Sequence, residues 1–108
     1  MDGVQTQSIV TTDCGLIAGN AGDIRVFRGI PYAAPPVGDR RWHAPVAPAK
    51  WQGVRSGLEF GPDPVQAEAQ GRVSRAPGMN EDCLYLNVWT PAQYANAKLP
   101  VMVWLSVG

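Results

Sequence analysis

Histidine and cysteine are both scarce in this sequence. One histidine and two cysteines, Cys14 and Cys83, occur among its 108 residues. Their spacing matches no zinc motif, so no metal site is expected. The two cysteines could form one disulfide. Two free, buried thiols are the more ordinary interpretation, because an unpaired cysteine behaves as a small hydrophobic residue.

Net charge and long apolar runs are also missing. Nine Lys and Arg residues balance nine Asp and Glu residues, so the formal net charge is 0. Nucleic acids and anionic membranes are bound by basic surfaces, and neither is therefore expected as a partner. No apolar stretch reaches the roughly 18 residues of a membrane-spanning helix. The first twelve residues show no basic region followed by an apolar segment, so no signal peptide is expected.

Motifs that carry catalytic groups are absent as well. The nucleophile elbow, Gly-x-Ser-x-Gly, turns a strand sharply into a helix and exposes a reactive serine. None of the four serines, Ser8, Ser56, Ser74 and Ser106, lies in that frame. His43 has no nearby carboxylate in the sequence to orient it and is expected to be a surface residue. Taken alone, the sequence predicts no assembled catalytic site.

Proline and glycine are abundant, by contrast. The 12 glycines and 10 prolines make up about a fifth of the chain, which is high for a small domain. Seven of the prolines lie between Pro31 and Pro64, and proline interrupts both helices and interior strands. This stretch is therefore predicted to be coil. Its aromatic residues favour an ordered coil over a disordered one; they are Tyr32, Trp42, Trp51 and Phe60.

Three short β-prone segments precede the coil. Residues 4–12, 15–19 and 24–28 predict three antiparallel strands joined by tight turns. Apolar and basic residues alternate in the third segment, which places Arg25 on the face opposite Ile24 and Val26. Arg25 is therefore predicted to be solvated.

Two strands are predicted after the coil. Residues 62–80 are polar and small and indicate an exposed loop. Leu84–Thr90 then predicts a strand, which Pro91 ends. Residues 101–105 are apolar throughout, which is typical of a strand buried on both faces in the middle of a parallel sheet. The turn after such a strand is where α/β folds build ligand and catalytic sites.

Three motifs follow one another along the chain. They are FRGIPYAAPPVGDRRWHAP, residues 27–45, WQGVRSGLEFGP, residues 51–62, and EDCLYLNVWTP, residues 81–91. In this order they resemble the type-B carboxylesterases, a branch of the α/β-hydrolase fold: the first resembles the N-terminal motif of that family and the last its second signature. The resemblance implies an α/β fold that begins with a small antiparallel β-sheet, a proline-rich coil and the first strands of a central sheet. Residues 1–108 alone would then be mostly β-strand and coil. The run at residues 101–105 would lack its neighbouring strands, so its edge and both of its apolar faces are expected to be left open.

The same resemblance implies that residues 1–108 are the incomplete N-terminal part of a carboxylesterase α/β-hydrolase domain. The chain would then be either a truncated gene product or a purposely shortened piece. A serine carboxylesterase hydrolyses small-molecule carboxylic esters through an acyl-enzyme and needs no metal or organic cofactor. The alternative is a non-catalytic piece of the same fold with a binding or structural role.

No catalytic residue can be assigned within the chain by this resemblance. The serine, acid and histidine of the family all fall after Gly108, so residues 1–108 alone are expected to be inactive. In the family, a strand like residues 100–105 leads into an HGGG-type loop whose N–H groups form the oxyanion hole. Gly108 stands at one donor position of that loop. Ser106 and Val107 depart from the pattern, since histidine and glycine are expected there.

Two further correspondences concern structure rather than catalysis. Arg41 resembles an arginine that pairs with the glutamate of the EDC motif, here Glu81, and such a pair would tie the coil to the strand beginning at Leu84. The alternative is two exposed charges worth at most about 1 kcal/mol. Cys83 resembles the second cysteine of a family disulfide, but no cysteine lies near Pro62 to Pro64, where its partner is expected. A free Cys83 is consistent with a reducing, cytoplasmic setting.

The loop before the EDC motif bears on the substrate. In cholinesterases, which the family includes, this loop supplies an aromatic platform for a quaternary ammonium group. Residues 62–82 contain no Trp, Tyr or Phe. The resemblance therefore favours a broad esterase acting on neutral carboxylic esters over one acting on choline esters.

Overall fold

The computed structural model describes residues 7–67 and 74–105. In these ranges the regular elements are five strands and one short 3-10 helix. They are β1 (Gln7–Thr12), β2 (Gly15–Asn20), β3 (Arg25–Pro31), the 3-10 helix Gly38–Arg40, β4 (Val54–Ser56) and β5 (Tyr85–Thr90). The three strands predicted before the coil and the one predicted at Leu84–Thr90 are confirmed. The third of them, β3, extends beyond its predicted end to Pro31.

The strands form one mixed sheet. β1 and β2 make an antiparallel hairpin paired from Gln7↔Asn20 to Thr12↔Gly15. Its turn is closed by the Thr12 hydroxyl, which accepts the N–H groups of Cys14 and Gly15 at 3.2 Å each. The sheet continues through β3 to β5, both pairings antiparallel, so β1 and β5 are the ends of this path of four strands.

β4 corrects the prediction that the proline-rich stretch holds no strand. This strand pairs in parallel with β2, opposite Leu16 to Ala18. It lies in an interval free of proline, between Pro48 and Pro62, so its N–H groups can join a ladder. Trp51 leads the chain to this position, because its indole Nε1–H donates to the carbonyl of Leu16 at 2.7 Å.

A bulge interrupts β3 between Phe27 and Ile30. At its centre Gly29 has a φ of 66°, and a Cβ there would lie 2.7 Å from the carbonyl oxygen of Glu59. Both the backbone angle and the close approach require glycine. The Gly29 N–H donates to Oδ1 of Asn87 at 3.0 Å, and the N–H of the preceding Arg28 donates to the carbonyl of Gly57 at 2.8 Å. The bulge therefore joins β3 to both the coil and β5.

Arg25, the first residue of β3, is bonded rather than solvated. Its Nε–H donates to the carbonyl of Ala92 at 2.7 Å, and its Nη1 donates to the Ser8 hydroxyl at 3.0 Å. The guanidinium also lies 5.6 Å from the centre of the Phe27 ring, within the range of a cation–π contact. The prediction of a solvated arginine was wrong, because a side chain pointing away from the alternating apolar residues can still reach neighbouring strands.

The terminal apolar run is largely exposed. Val101, Met102, Val103, Trp104 and Leu105 form no strand, and their exposed fractions lie between 78% and 96%. A strand buried on both faces needs neighbouring strands and a covering layer, and the described part of the chain places neither beside this run. This exposure agrees with the expectation that the run lacks its neighbouring strands within residues 1–108. Its burial as a central strand of the whole domain stays a prediction. Nor do these residue ranges hold any helix with the length and apolarity to cross a membrane.

The buried apolar core is small. Among the described residues it consists of Ile17, Ala18, Phe27 and Ala33, each at most 6% exposed. Phe27 is the largest of these side chains, and it lies on β3, which pairs with strands on both sides. The stability of the sheet is therefore expected to depend strongly on this one ring.

Replacement of Phe27 tests that expectation. Phe27→Ala should lower the free energy of unfolding by about 3–5 kcal/mol, which approaches the whole stability of a small domain. Trp42→Ala is the matched control, because Trp42 is 94% exposed and its loss should cost less than about 0.5 kcal/mol. Urea unfolding followed by far-ultraviolet circular dichroism measures both. Equal losses in the two variants would contradict the assigned core.

Candidate functional site

The predicted oxyanion position lies outside the described residues. Gly108, together with Ser106 and Val107, follows the last described residue, Leu105. Its assignment therefore stays a prediction from the motif. What the structure describes is the run leading to it, which is exposed and carries no strand pairing.

The described serines and His43 do not come together. Ser8 accepts a hydrogen bond from Arg25, Ser56 accepts one from the Leu58 N–H at 3.4 Å, and Ser74 donates to Oδ2 of Asp63 at 2.5 Å. His43 is exposed in the turn after the 3-10 helix. Across residues 7–67 and 74–105 no serine bonds to a histidine, and no three metal-ligating side chains cluster. This region thus contains no assembled nucleophile and base.

Arg41 and Glu81 do lie together. The Nε of Arg41 is 3.4 Å from Oε1 of Glu81, so the pair links the coil to the residues just before β5. The two side chains are 61% and 54% exposed. At this exposure water screens the attraction, and the pair is worth at most about 1 kcal/mol. The predicted contact between Arg41 and Glu81 is therefore present. Its contribution to stability is that of an exposed ion pair.

Cys83 lies beside this ion pair. With Pro36, Arg41, Val65 and Glu81 it lines an open depression on the surface. Both cysteines are free and half-buried. Burial is the main cause that raises the pKa of the Cys83 thiol, and the neighbouring carboxylates of Asp82 and Glu81 raise it further. A thiol is nucleophilic only when ionised, so Cys83 is poorly suited to nucleophilic catalysis.

The pKa of Tyr85, two residues after Cys83, is also raised. Burial raises the pKa of its phenol, and the hydrogen bond from its hydroxyl to Oδ1 of Asp82, 2.9 Å long, raises it further. The phenol therefore acts as a hydrogen-bond donor that holds the EDC segment against the sheet. A raised pKa keeps the phenol protonated, so Tyr85 is not suited to act as a general base.

The loop before the EDC motif is closed by hydrogen bonds at its base. Asp63 donates its N–H to the carbonyl of Gly78 at 2.8 Å, and its own carbonyl accepts the N–H of Asn80 at 2.9 Å. The Asp63 carboxylate accepts the Ser74 hydroxyl from within the loop. This is the region where the resemblance implies a disulfide. Here hydrogen bonds centred on Asp63 bring the two ends together.

The architecture matches that of known esterases over most of the chain. A solved para-nitrobenzyl esterase superposes with a TM-score of 0.71 at 38% identity, over 77% of this chain and 18% of that one. A carboxylesterase of Geobacillus stearothermophilus superposes with a TM-score of 0.65 at 41% identity, over 78% of this chain and 16% of that one. The small sheet, coil and β5 are therefore those of the N-terminal section of an α/β-hydrolase esterase.

Sequence comparison identifies the family. The model of the carboxylesterase family matches residues 6–108, and the chain belongs to that family. It is 50% identical over 97 residues to a fumonisin B1 esterase of Sphingopyxis macrogoltabida, covering 90% of this chain and 18% of that protein. It is 38% identical over 107 residues to a para-nitrobenzyl esterase of Bacillus subtilis, covering 95% of this chain and 22% of that protein. The chain thus spans about a fifth of the length of these relatives.

A double-mutant cycle tests the ion pair. Glu81→Gln and Arg41→Met should each lower the free energy of unfolding by no more than about 1 kcal/mol, because both groups are largely exposed. The coupling energy between them should be about 0.2–1 kcal/mol and should fall when salt is raised to about 1 M. Thermal or urea unfolding of the four chains gives this value. A coupling above about 3 kcal/mol would show that the pair is shielded from water.

Proposed function

We propose that residues 1–108 are the N-terminal section of a serine carboxylesterase domain that hydrolyses small-molecule carboxylic esters through an acyl-enzyme. The observation that carries the proposal is the family match over residues 6–108, together with the superposition on solved esterases. Family membership supports ester hydrolysis in general. The proposal that this chain is the N-terminal section of such an esterase domain rests on its sequence motifs and on the fold that they build.

In this proposal the chain supplies part of the scaffold and the segment that leads to the oxyanion loop. The sheet from β1 to β5 holds the coil through Trp51, and through the bulge in β3, where the Arg28 N–H donates to the carbonyl of Gly57. The run at residues 101–105 leads to the loop in which Gly108 would offer one N–H to the oxyanion. The nucleophile, its base and the remaining donors are proposed to lie outside these residues, so the section alone is proposed to be inactive.

The proposed substrate class rests on the composition of the loop before the EDC motif. Residues 62–82 carry no aromatic side chain that could hold a quaternary ammonium group. Neutral carboxylic esters are therefore the proposed substrates, with no metal or organic cofactor. The free thiols of Cys14 and Cys83 support a reducing, cytoplasmic setting.

The isolated chain should have no esterase activity. Loss of one oxyanion donor from an intact site already costs on the order of 10²-fold in rate, and here nucleophile and base are proposed to be absent as well. Purified residues 1–108 should hydrolyse a p-nitrophenyl ester no faster than the denatured chain at the same concentration. A serine-directed organophosphonate should leave its mass unchanged. Saturable turnover that disappears in Ser106→Ala would contradict the proposal.

A chimera tests whether this section supports ester hydrolysis when the rest of an esterase domain is present. Residues 7–105 would replace the matching segment of the Bacillus subtilis para-nitrobenzyl esterase, to which the chain is similar over 107 aligned residues. The folded chimera, verified by circular dichroism, should hydrolyse p-nitrophenyl esters, and the same chimera without its nucleophilic serine should not. A folded but inactive chimera would favour the non-catalytic alternative.

A further inference from the structure

A series of hydrogen bonds runs from the base of the loop before the EDC motif to the sheet. The carbonyl of Asp63 accepts the N–H of Asn80 at 2.9 Å. The side-chain oxygen Oδ1 of Asn80 accepts the N–H of Asp82 at 2.9 Å. The carboxylate of Asp82 in turn accepts the hydroxyl of Tyr85, the first residue of β5, at 2.9 Å. Each residue in this series is thus bonded to the next.

The two ends of this series also meet directly. A Cβ added to Gly61 would lie 2.8 Å from Cγ and Cδ2 of Tyr85, so the tyrosine ring lies against the backbone two residues before Asp63. This contact closes the series. We call its members the circuit; they are Gly61, Asp63, Asn80, Asp82 and Tyr85. All five lie within the described ranges, so the circuit needs no neighbour from outside residues 1–108.

Ser74 fixes the base of the loop from its other side. Its Oγ donates to Oδ2 of Asp63 at 2.5 Å and accepts the N–H of Ala76 at 3.1 Å. The N–H of Asp63 donates to the carbonyl of Gly78 at 2.8 Å. Asp63 is therefore bonded through both its backbone and its side chain. Ser74 itself is exposed, so its hydroxyl can be removed without opening a cavity.

We propose that the circuit is one cooperative unit, in which Asp63 at the base of the loop and the Tyr85 phenol on β5 hold each other in place. In the local alternative Asp82 alone holds Tyr85, because the two are three residues apart, and Asp63 has no effect on the phenol. A satisfied hydrogen-bond network can be worth more than its separate pairs. Coupling between two positions is also reciprocal, so loosening either one should loosen the other. The proposal does not depend on the catalytic one.

The Tyr85 phenol reports on its contact with Asp82. Burial is the main cause that raises the pKa of this phenol, and the hydrogen bond to the Asp82 carboxylate and the charge of that carboxylate raise it further. Arg55 on β4 acts in the opposite direction, since its positive charge favours the phenolate. Movement of Asp82 away from the hydroxyl should therefore lower the pKa of Tyr85.

Ser74→Ala tests the coupling from the loop. The Ser74 hydroxyl fixes Asp63 and bonds to neither Asp82 nor Tyr85, so an effect on the phenol has to pass through the circuit. We expect the pKa of Tyr85 to fall, though less far than in Asp82→Asn, in a nuclear magnetic resonance titration of chain with isotope-labelled tyrosine. Ser56→Ala is the matched control and should leave this pKa unchanged. Ser56 is also an exposed serine whose oxygen accepts the N–H two residues further on.

Tyr85→Phe tests the coupling from the sheet. The change removes the hydroxyl and keeps the ring that lies against Gly61. The amides of Asp63 and Asn80 should then exchange with solvent about fivefold faster or more, which is the lower end of a typical coupling. Tyr94→Phe is the control, because Tyr94 is 66% exposed, and it should leave both exchange rates unchanged. Circular dichroism verifies that every variant is folded over the pH range used.

Coupling through a hydrogen-bond network is established only when both ends respond. An unchanged pKa of Tyr85 in Ser74→Ala would show that Asp82 holds the phenol locally and would overturn the proposal. Unchanged exchange of the Asp63 amide in Tyr85→Phe would overturn it as well, since coupling is reciprocal. Equal falls in pKa in Ser74→Ala and Ser56→Ala would also contradict it. If Ser74→Ala does not fold, Asn80→Ser replaces it and should lower the same pKa, because a serine hydroxyl accepts this kind of turn hydrogen bond more weakly.

Discussion

The structure depends on a bulge in β3, where two amide groups leave the strand ladder and find other partners. The N–H of Arg28 donates to the carbonyl of Gly57, and the N–H of Gly29 donates to the side chain of Asn87. A buried amide without a partner would cost about 1–3 kcal/mol. The bulge thus depends on the side chain of Asn87 and on the position of the backbone at Gly57, although both are far from β3 in sequence.

This bulge explains in physical terms why two of the sequence motifs occur together. FRGIP supplies the glycine that can adopt a φ of 66° and approach the Glu59 carbonyl. YLNVW supplies the amide oxygen that accepts the glycine N–H. The coil between them is fixed at Gly57, whose own N–H donates to the carbonyl of Ala18 at 2.6 Å. With only four buried apolar residues among those described, these polar contacts and the strand ladders carry much of the specificity of the fold.

Local patterns in the sequence predicted most of the strands. Alternation and turn residues located β1, β2, β3 and β5, and the family motifs indicated the fold and the Arg41–Glu81 contact. They did not predict β4, because its pairing with β2 depends on Trp51 reaching the Leu16 carbonyl. The anchoring of Arg25 by Ala92 likewise joins residues 67 positions apart. The apolar composition of residues 101–105 likewise does not locate that run, since burial of a strand depends on neighbouring strands, and the described residues supply none beside it.

The most direct test of this account is the hydrogen exchange rate of the Gly29 amide, measured by nuclear magnetic resonance. In the unaltered chain this amide should be protected. In Asn87→Ala it should exchange roughly tenfold faster or more, because its acceptor is lost. Asn96→Ala, a change at an exposed position of the link after β5, should leave the rate unchanged. Equal protection of Gly29 in the unaltered chain and in Asn87→Ala would contradict the central role of the bulge.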